Sequence, residues 1–220
     1  MKIKRDDIEL CLRAAWTMSE QYRQYALAPD RSDRSVDTLL WICRMYLAKK
    51  IEVLQAPIPA TADKTIRAAY VATGDRHDII LLANMERVWR RFALCKEIFH
   101  ILIAHEESLS ANIFGHLEEV TLTFPVMDSE PNCAAAWEKL AEAAAMEFLF
   151  PAVERKPMNM AEVSGGQIDA LAARYDIPRV FIETYCSEPA CEFFDVFEKI
   201  RVEEAERSRR IADISKPQPA

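Results

Sequence analysis

The chain has no apolar run approaching the ~20 residues that cross a bilayer, no Cys-x-x-Cys pair, no internal repeat and no excess of positive charge. Each absence removes a class of function. Without a long apolar run there is no membrane span to propose. The acids in the opening MKIKRDDIELCLRAAW argue against a secretory leader, so a cytoplasmic protein is expected. Six cysteines stand at 11, 43, 95, 133, 186 and 191, mostly among apolar neighbours. They read as reduced, buried thiols, not as a disulfide framework or a thiolate zinc site. A net charge of −7 argues against general nucleic-acid affinity.

Half of the 220 residues are hydrophobic and 29% are charged, the balance of a soluble globular protein large enough for a buried core. Helical spacing over 6–27 and again from a cap at Asp33 or Ser35 through Leu47 predicts two helices. The period then changes. Short β-branched and aromatic runs at 51–55, 66–73 and 78–83, with Gly74-Asp75 as a hairpin turn, predict a small antiparallel three-stranded sheet. A long helix from about Glu86 to His105 carries two apolar stripes, which makes it central. One short strand is read around 120–124, and an alanine-rich helix over 134–150 ends at Pro151. A hinge-like EVSGG at 162–166 precedes two short helices joined at Tyr175-Asp176-Ile177-Pro178. A charged amphipathic helix from Cys191 to about Ile214 closes the chain.

Within the central helix, FALCKEIFHILIA at 92–104 is interrupted only by Lys96, Glu97 and His100. At ~100° per residue these three share one arc of a greasy helix. Glu97-x-x-His100 is the second half of the HExxH pattern, in which two histidines bind zinc and the intervening glutamate is the general base. Lys96 stands where the first histidine is required.

Three fragments in order, RFALCKEIFHILI, EKLAEAAAMEFLFP and LAARYDIPRVFI, resemble the ImmA/IrrE family of zinc metallopeptidases over residues 36 to 185. The resemblance implies an α+β fold: a mostly helical zincin-like peptidase domain over 1–160, and a C-terminal helix-turn-helix-like helical segment over 161–220. It makes Glu97 the counterpart of the general base, His100 of the second histidine ligand and Glu138 of the glutamate ligand. Glu142, one turn later, is the competing counterpart; Glu138 is favoured because it lies 13 residues before Pro151. Lys96 replaces the first ligand, and Phe99 replaces a glycine that would leave room beside a metal.

A lysine donates to zinc only after losing a proton that it holds to a pKa near 10.4. Three readings of the polar arc follow. Lys96 is an internal cation paired with Glu97 and Glu138; or a metal site is completed by another donor, with His77 and His116 in turn or loop stretches as candidates and His105 badly placed; or the arc is a surface stripe. The first implies no cofactor, the second zinc. By resemblance the partner is a helix-turn-helix transcriptional repressor or a similar protein, bound without cleavage in an anti-repressor role linked to a prophage, mobile element or stress response. The alternative is an active metalloendopeptidase that cuts it. LAARYDIP, with Arg174 and Arg179 as its nearby bases, reads as a packing element, so direct nucleic-acid binding is not expected.

Overall fold

A computed structural model describes residues 5–26, 34–57, 68–103, 133–155 and 163–187, with isolated positions beyond. Helices α1 (Arg5–Tyr25) and α2 (Val36–Leu47) precede strands β1 (Lys50–Ala56), β2 (Ala68–Thr73) and β3 (Arg76–Leu82). Helices α3 (Arg87–Ile103), α4 (Cys133–Leu149), α5 (Ala152–Arg155), α6 (Gly165–Tyr175) and α7 (Arg179–Tyr185) follow. The expected strand at 120–124, His105, His116 and nearly all of the final charged helix lie outside the described residues. No described helix is long and apolar enough to cross a membrane.

Ser35 supplies the cap of α2, its hydroxyl accepting from the Thr38 amide at 3.2 Å, as its short polar side chain allows. The hairpin turn between β2 and β3 lies at Gly74, whose φ of +60° needs a residue without a Cβ penalty. The sheet order, however, is β1-β3-β2, with β1 parallel and β2 antiparallel to β3. The expected all-antiparallel sheet is thus corrected to a mixed one. Strand alternation records which face is buried and says nothing of which neighbour a strand takes.

The hinge reading also gives way. Ser164 caps α6 through a capping box with Gln167, and both glycines of the pair lie in the helix's first turn. Ser164→Ala should cost about 1 kcal/mol, measurable by urea unfolding; an unchanged midpoint would mean that this turn adds nothing to global stability.

Helix α3 packs on α4, on α1 and α2, and on strands β2 and β3. Phe92, Cys95, Ile98 and Phe99 are buried on it, which meets the two-stripe expectation. Ala141, Ala144 and Ala145 of α4 are fully buried, small enough to let α1 and α3 close against it. Cys11, Cys43, Cys95 and Cys186 are buried free thiols, and burial pushes the Cys43 and Cys95 thiols up to about 12.

Candidate functional site

The polar arc of α3 faces α4 and the sheet. Lys96 is 19% exposed at its side chain, and its ammonium donates to Glu138 Oε2 at 2.6 Å. The same nitrogen lies 3.1 Å from Glu97 Oε1, whose side chain is 2% exposed. On the far side of Glu138, Oε1 lies 3.0 Å from His100 Nε2. Glu138 is therefore shared by the lysine and the histidine, and α3 is stitched to α4 through it.

Burial disfavours charge on both Lys96 and Glu138. The carboxylates of Glu97 and Glu138 outweigh that penalty and hold the Lys96 ammonium above the usual lysine range. Lys96, with His100, likewise holds the Glu138 carboxyl well below the usual carboxylate range. Opposite charges this close favour both ionised forms, which is the condition under which buried charge is tolerated.

Glu142 takes no part in this group. It accepts from the Tyr185 hydroxyl at 2.8 Å and lies 3.2 Å from Lys139 Nζ, so of the two acids it is Glu138 that meets Lys96 and His100. Phe99 is fully buried with its ring 5.9 Å from that of Phe148. Phe148 stands ten residues from Glu138, ~15 Å along α4. The ring that stands in place of the family's glycine thus packs in the core, where an apolar ring gains more among apolar partners than beside charges.

Two residues that sequence reasoning placed elsewhere or passed over complete the surroundings. His77 lies in β3, not in a loop, and is buried. Tyr70 of β2 stands between the imidazoles, its ring centroid 6.2 Å from His77 and 6.1 Å from His100. Burial, with the Glu97 charge nearby, pushes the Tyr70 hydroxyl up to about 12. Burial depresses the His77 pKa. Glu97 Oε1 and His100 Nε2 have the ion-pair contacts given above, whereas Tyr70 Oη and both ring nitrogens of His77 are buried with no hydrogen-bond partner among the described residues. Unsatisfied buried polar atoms cost ~1–3 kcal/mol each, and their concentration around one side-chain cluster marks this as the chemically distinctive part of the described molecule.

A catalytic zinc needs three protein donors and an open position for water. Among the described residues no group of three or more His, Cys, Asp or Glu side chains is arranged to hold a metal ion. His100 and Glu138 point at each other across 3.0 Å, and the third candidate nitrogen is a lysine held protonated between two acids. These residues do not fit zinc as they stand. They form a closed charge cluster of two carboxylates, one ammonium and one imidazole. No protein-family model matches the chain, and no curated protein matches it.

Proposed function

We propose that this chain is a regulatory protein of the ImmA/IrrE type in which a lysine-centred charge cluster replaces the zinc-peptidase site, and that it acts by binding a partner protein without cutting it. The observation that carries this reading is the Lys96 ammonium lying 2.6 Å from Glu138 and 3.1 Å from Glu97. A cation there satisfies the carboxylates that the resemblance assigns to catalysis and metal binding. Peptide hydrolysis of the zincin kind needs a water whose pKa a metal lowers to about 7 and a carboxylate free to take its proton. Glu97, buried and facing an ammonium, is not free in that sense.

The partner implied is a helix-turn-helix repressor or a protein of similar kind, and the reading rests there on likeness of three sequence fragments. A small sheet offers a second support. Among the described residues β1 and β2 are its outer strands, and an outer strand takes an extended peptide through backbone hydrogen bonds and side-chain pockets. Neither requirement involves zinc.

Co-expression with a helix-turn-helix repressor, starting with any encoded next to this chain, followed by pull-down and intact-mass measurement, tests both halves. The expected result is a complex in which the repressor keeps its full length. Shortened repressor whose appearance depends on Glu97 would establish the endopeptidase instead, and failure to form any complex would remove the regulatory reading.

A further inference from the structure

On a different part of the molecule, where the entry to α2, the start of α3 and the end of α6 meet, lies a cleft of about 510 Å³. Among the described residues its lining holds five arginines, at 34, 87, 90, 91 and 174, against two aspartates, Asp37 and Asp176. The balance is three positive charges in a chain whose net charge is −7. Such a concentration opposes the field of the whole protein and is costly to assemble unless something negative is bound there.

The arginines divide by task. Arg34 is buried with its guanidinium turned inward, donating to the Phe148 carbonyl and, at 3.1 Å, to Ser19 Oγ; it adds field but no contact surface. Arg91 builds the wall, donating to the Tyr175 and Asp176 carbonyls and to the Arg34 carbonyl, each at 2.8 Å. Those bonds lock the three chain segments around the cleft. Arg87 pairs with Asp176. Arg90 and Arg174 differ from these, since neither has a carboxylate in ion-pairing range among the described residues. Arg90 reaches the neutral side-chain amide of Gln55 at 2.7 Å, and Arg174 lies 5.3 Å from the Tyr175 ring centroid.

A guanidinium presents a planar fork that matches phosphate oxygens two at a time. A phosphate group brings about −1.5 to −2 charges and three acceptor oxygens, more than a lone carboxylate offers to three unneutralised positive charges. The volume falls within the ~300–1,000 Å³ usual for small-ligand pockets. The geometry points to a binding site for a small molecule carrying a phosphate or diphosphate group, gripped by Arg90 and Arg174 against the wall that Arg91 fixes. This site is separate from the Lys96 cluster, and it stands whether or not the chain binds a repressor.

Calorimetric titration of the full chain with pyrophosphate, ADP and a short DNA duplex tests it. Saturable binding of pyrophosphate or ADP is expected, weakening as salt is raised. The paired substitution Arg90→Glu with Arg174→Glu should weaken it at least tenfold, whereas Arg179→Glu, outside the cleft, should leave it unchanged. ADP binding tenfold tighter than pyrophosphate would identify a nucleotide site, and equal affinities a site for the inorganic anion; both support the proposal. Circular dichroism of the double variant checks that it is folded, and single Arg174→Gln, at an exposed position, serves if it is not. No saturable binding, binding that survives the substitutions, or a duplex that binds while the small anions do not would overturn it.

Discussion

Replacing Lys96 with methionine should destabilise the protein by about 3 kcal/mol at pH 7. Removing one member of a buried ion pair usually costs ~3–5 kcal/mol, because the partner is left as uncompensated buried charge. The lower end applies because Glu138 keeps 31% exposure at its side chain and reaches water for part of its solvation. Glu97, 2% exposed, has no such relief. The pH dependence follows from the same pair. The Glu138 carboxyl is held below its ordinary range, so its stabilisation is present above the unfolded carboxylate pKa of about 4.3 and is lost as pH falls through the lower folded value. The Lys96 shift is upward, so its share is present below the unfolded lysine pKa of about 10.4 and lost only at more alkaline pH. Between those limits the pair holds fully. The methionine variant lacks the cation that holds the Glu138 carboxyl low, so its deficit should shrink as pH falls below the unfolded carboxylate value of about 4.3. Urea unfolding at pH 7 and pH 4 measures both values. A deficit under about 0.5 kcal/mol at pH 7 would make Lys96 an ordinary solvated side chain.

Replacing Lys96 with histidine should turn the cluster into a metal site and raise zinc affinity by orders of magnitude. The purified native protein is expected to hold well under one zinc per chain, since its candidate third ligand is a cation. A neutral imidazole at 96 would complete His-Glu-x-x-His on one helix face, with Glu138 already placed 3.0 Å from His100 to serve as the third donor. Phe99 is no obstacle, as its ring is committed to Phe148. Competition with a chromogenic chelator reads the affinity, and elemental analysis reads the stoichiometry. Unchanged affinity would show that Glu138 cannot turn from His100 to a metal. Stoichiometric zinc in the native chain, lost on His100→Ala, would show that a donor beyond the described residues completes the site.

Much of this arrangement can be read from the sequence. Helix α3 declared itself through two apolar stripes, and its polar arc through three charged or titratable residues inside an apolar run. The distance to Pro151 favours Glu138 over Glu142 in the sequence, and in the structure it is Glu138 that meets Lys96 and His100 while Glu142 meets Lys139 and Tyr185. The sequence carries only a weak sign that Tyr70 and His77 are neighbours of His100. His77 is in phase with Ile79 and Leu81, the buried face of β3, and Tyr70 occupies a half-buried position on β2. The hairpin turn at Gly74-Asp75 already implies that β2 pairs with β3; what sequence alone withholds is that β1 takes the other edge of β3 in parallel and that this face meets α3, since long-range packing decides both. The glycine pair at 165–166 misled for a local reason. Glycine signals a break in general, but Ser164 and Gln167 offer the first turn of a helix more hydrogen bonds than a break would keep.

The packing of α1 on α4 has a temporal side. Cys11, Leu12, Ala15, Met18 and Tyr22 are buried on α1, and Cys11 Sγ donates to the Leu140 carbonyl at 2.9 Å, a partner 129 residues later in the chain. At ~5–20 residues per second, a ribosome completes α4 roughly ten seconds after α1 has emerged. Through that interval the partners that α1 has among the described helices are α2 and then α3. A nascent chain of this protein therefore exposes a sticky amphipathic helix until late in its own synthesis, and its yield in a cell should respond to the supply of chaperones that shield such helices.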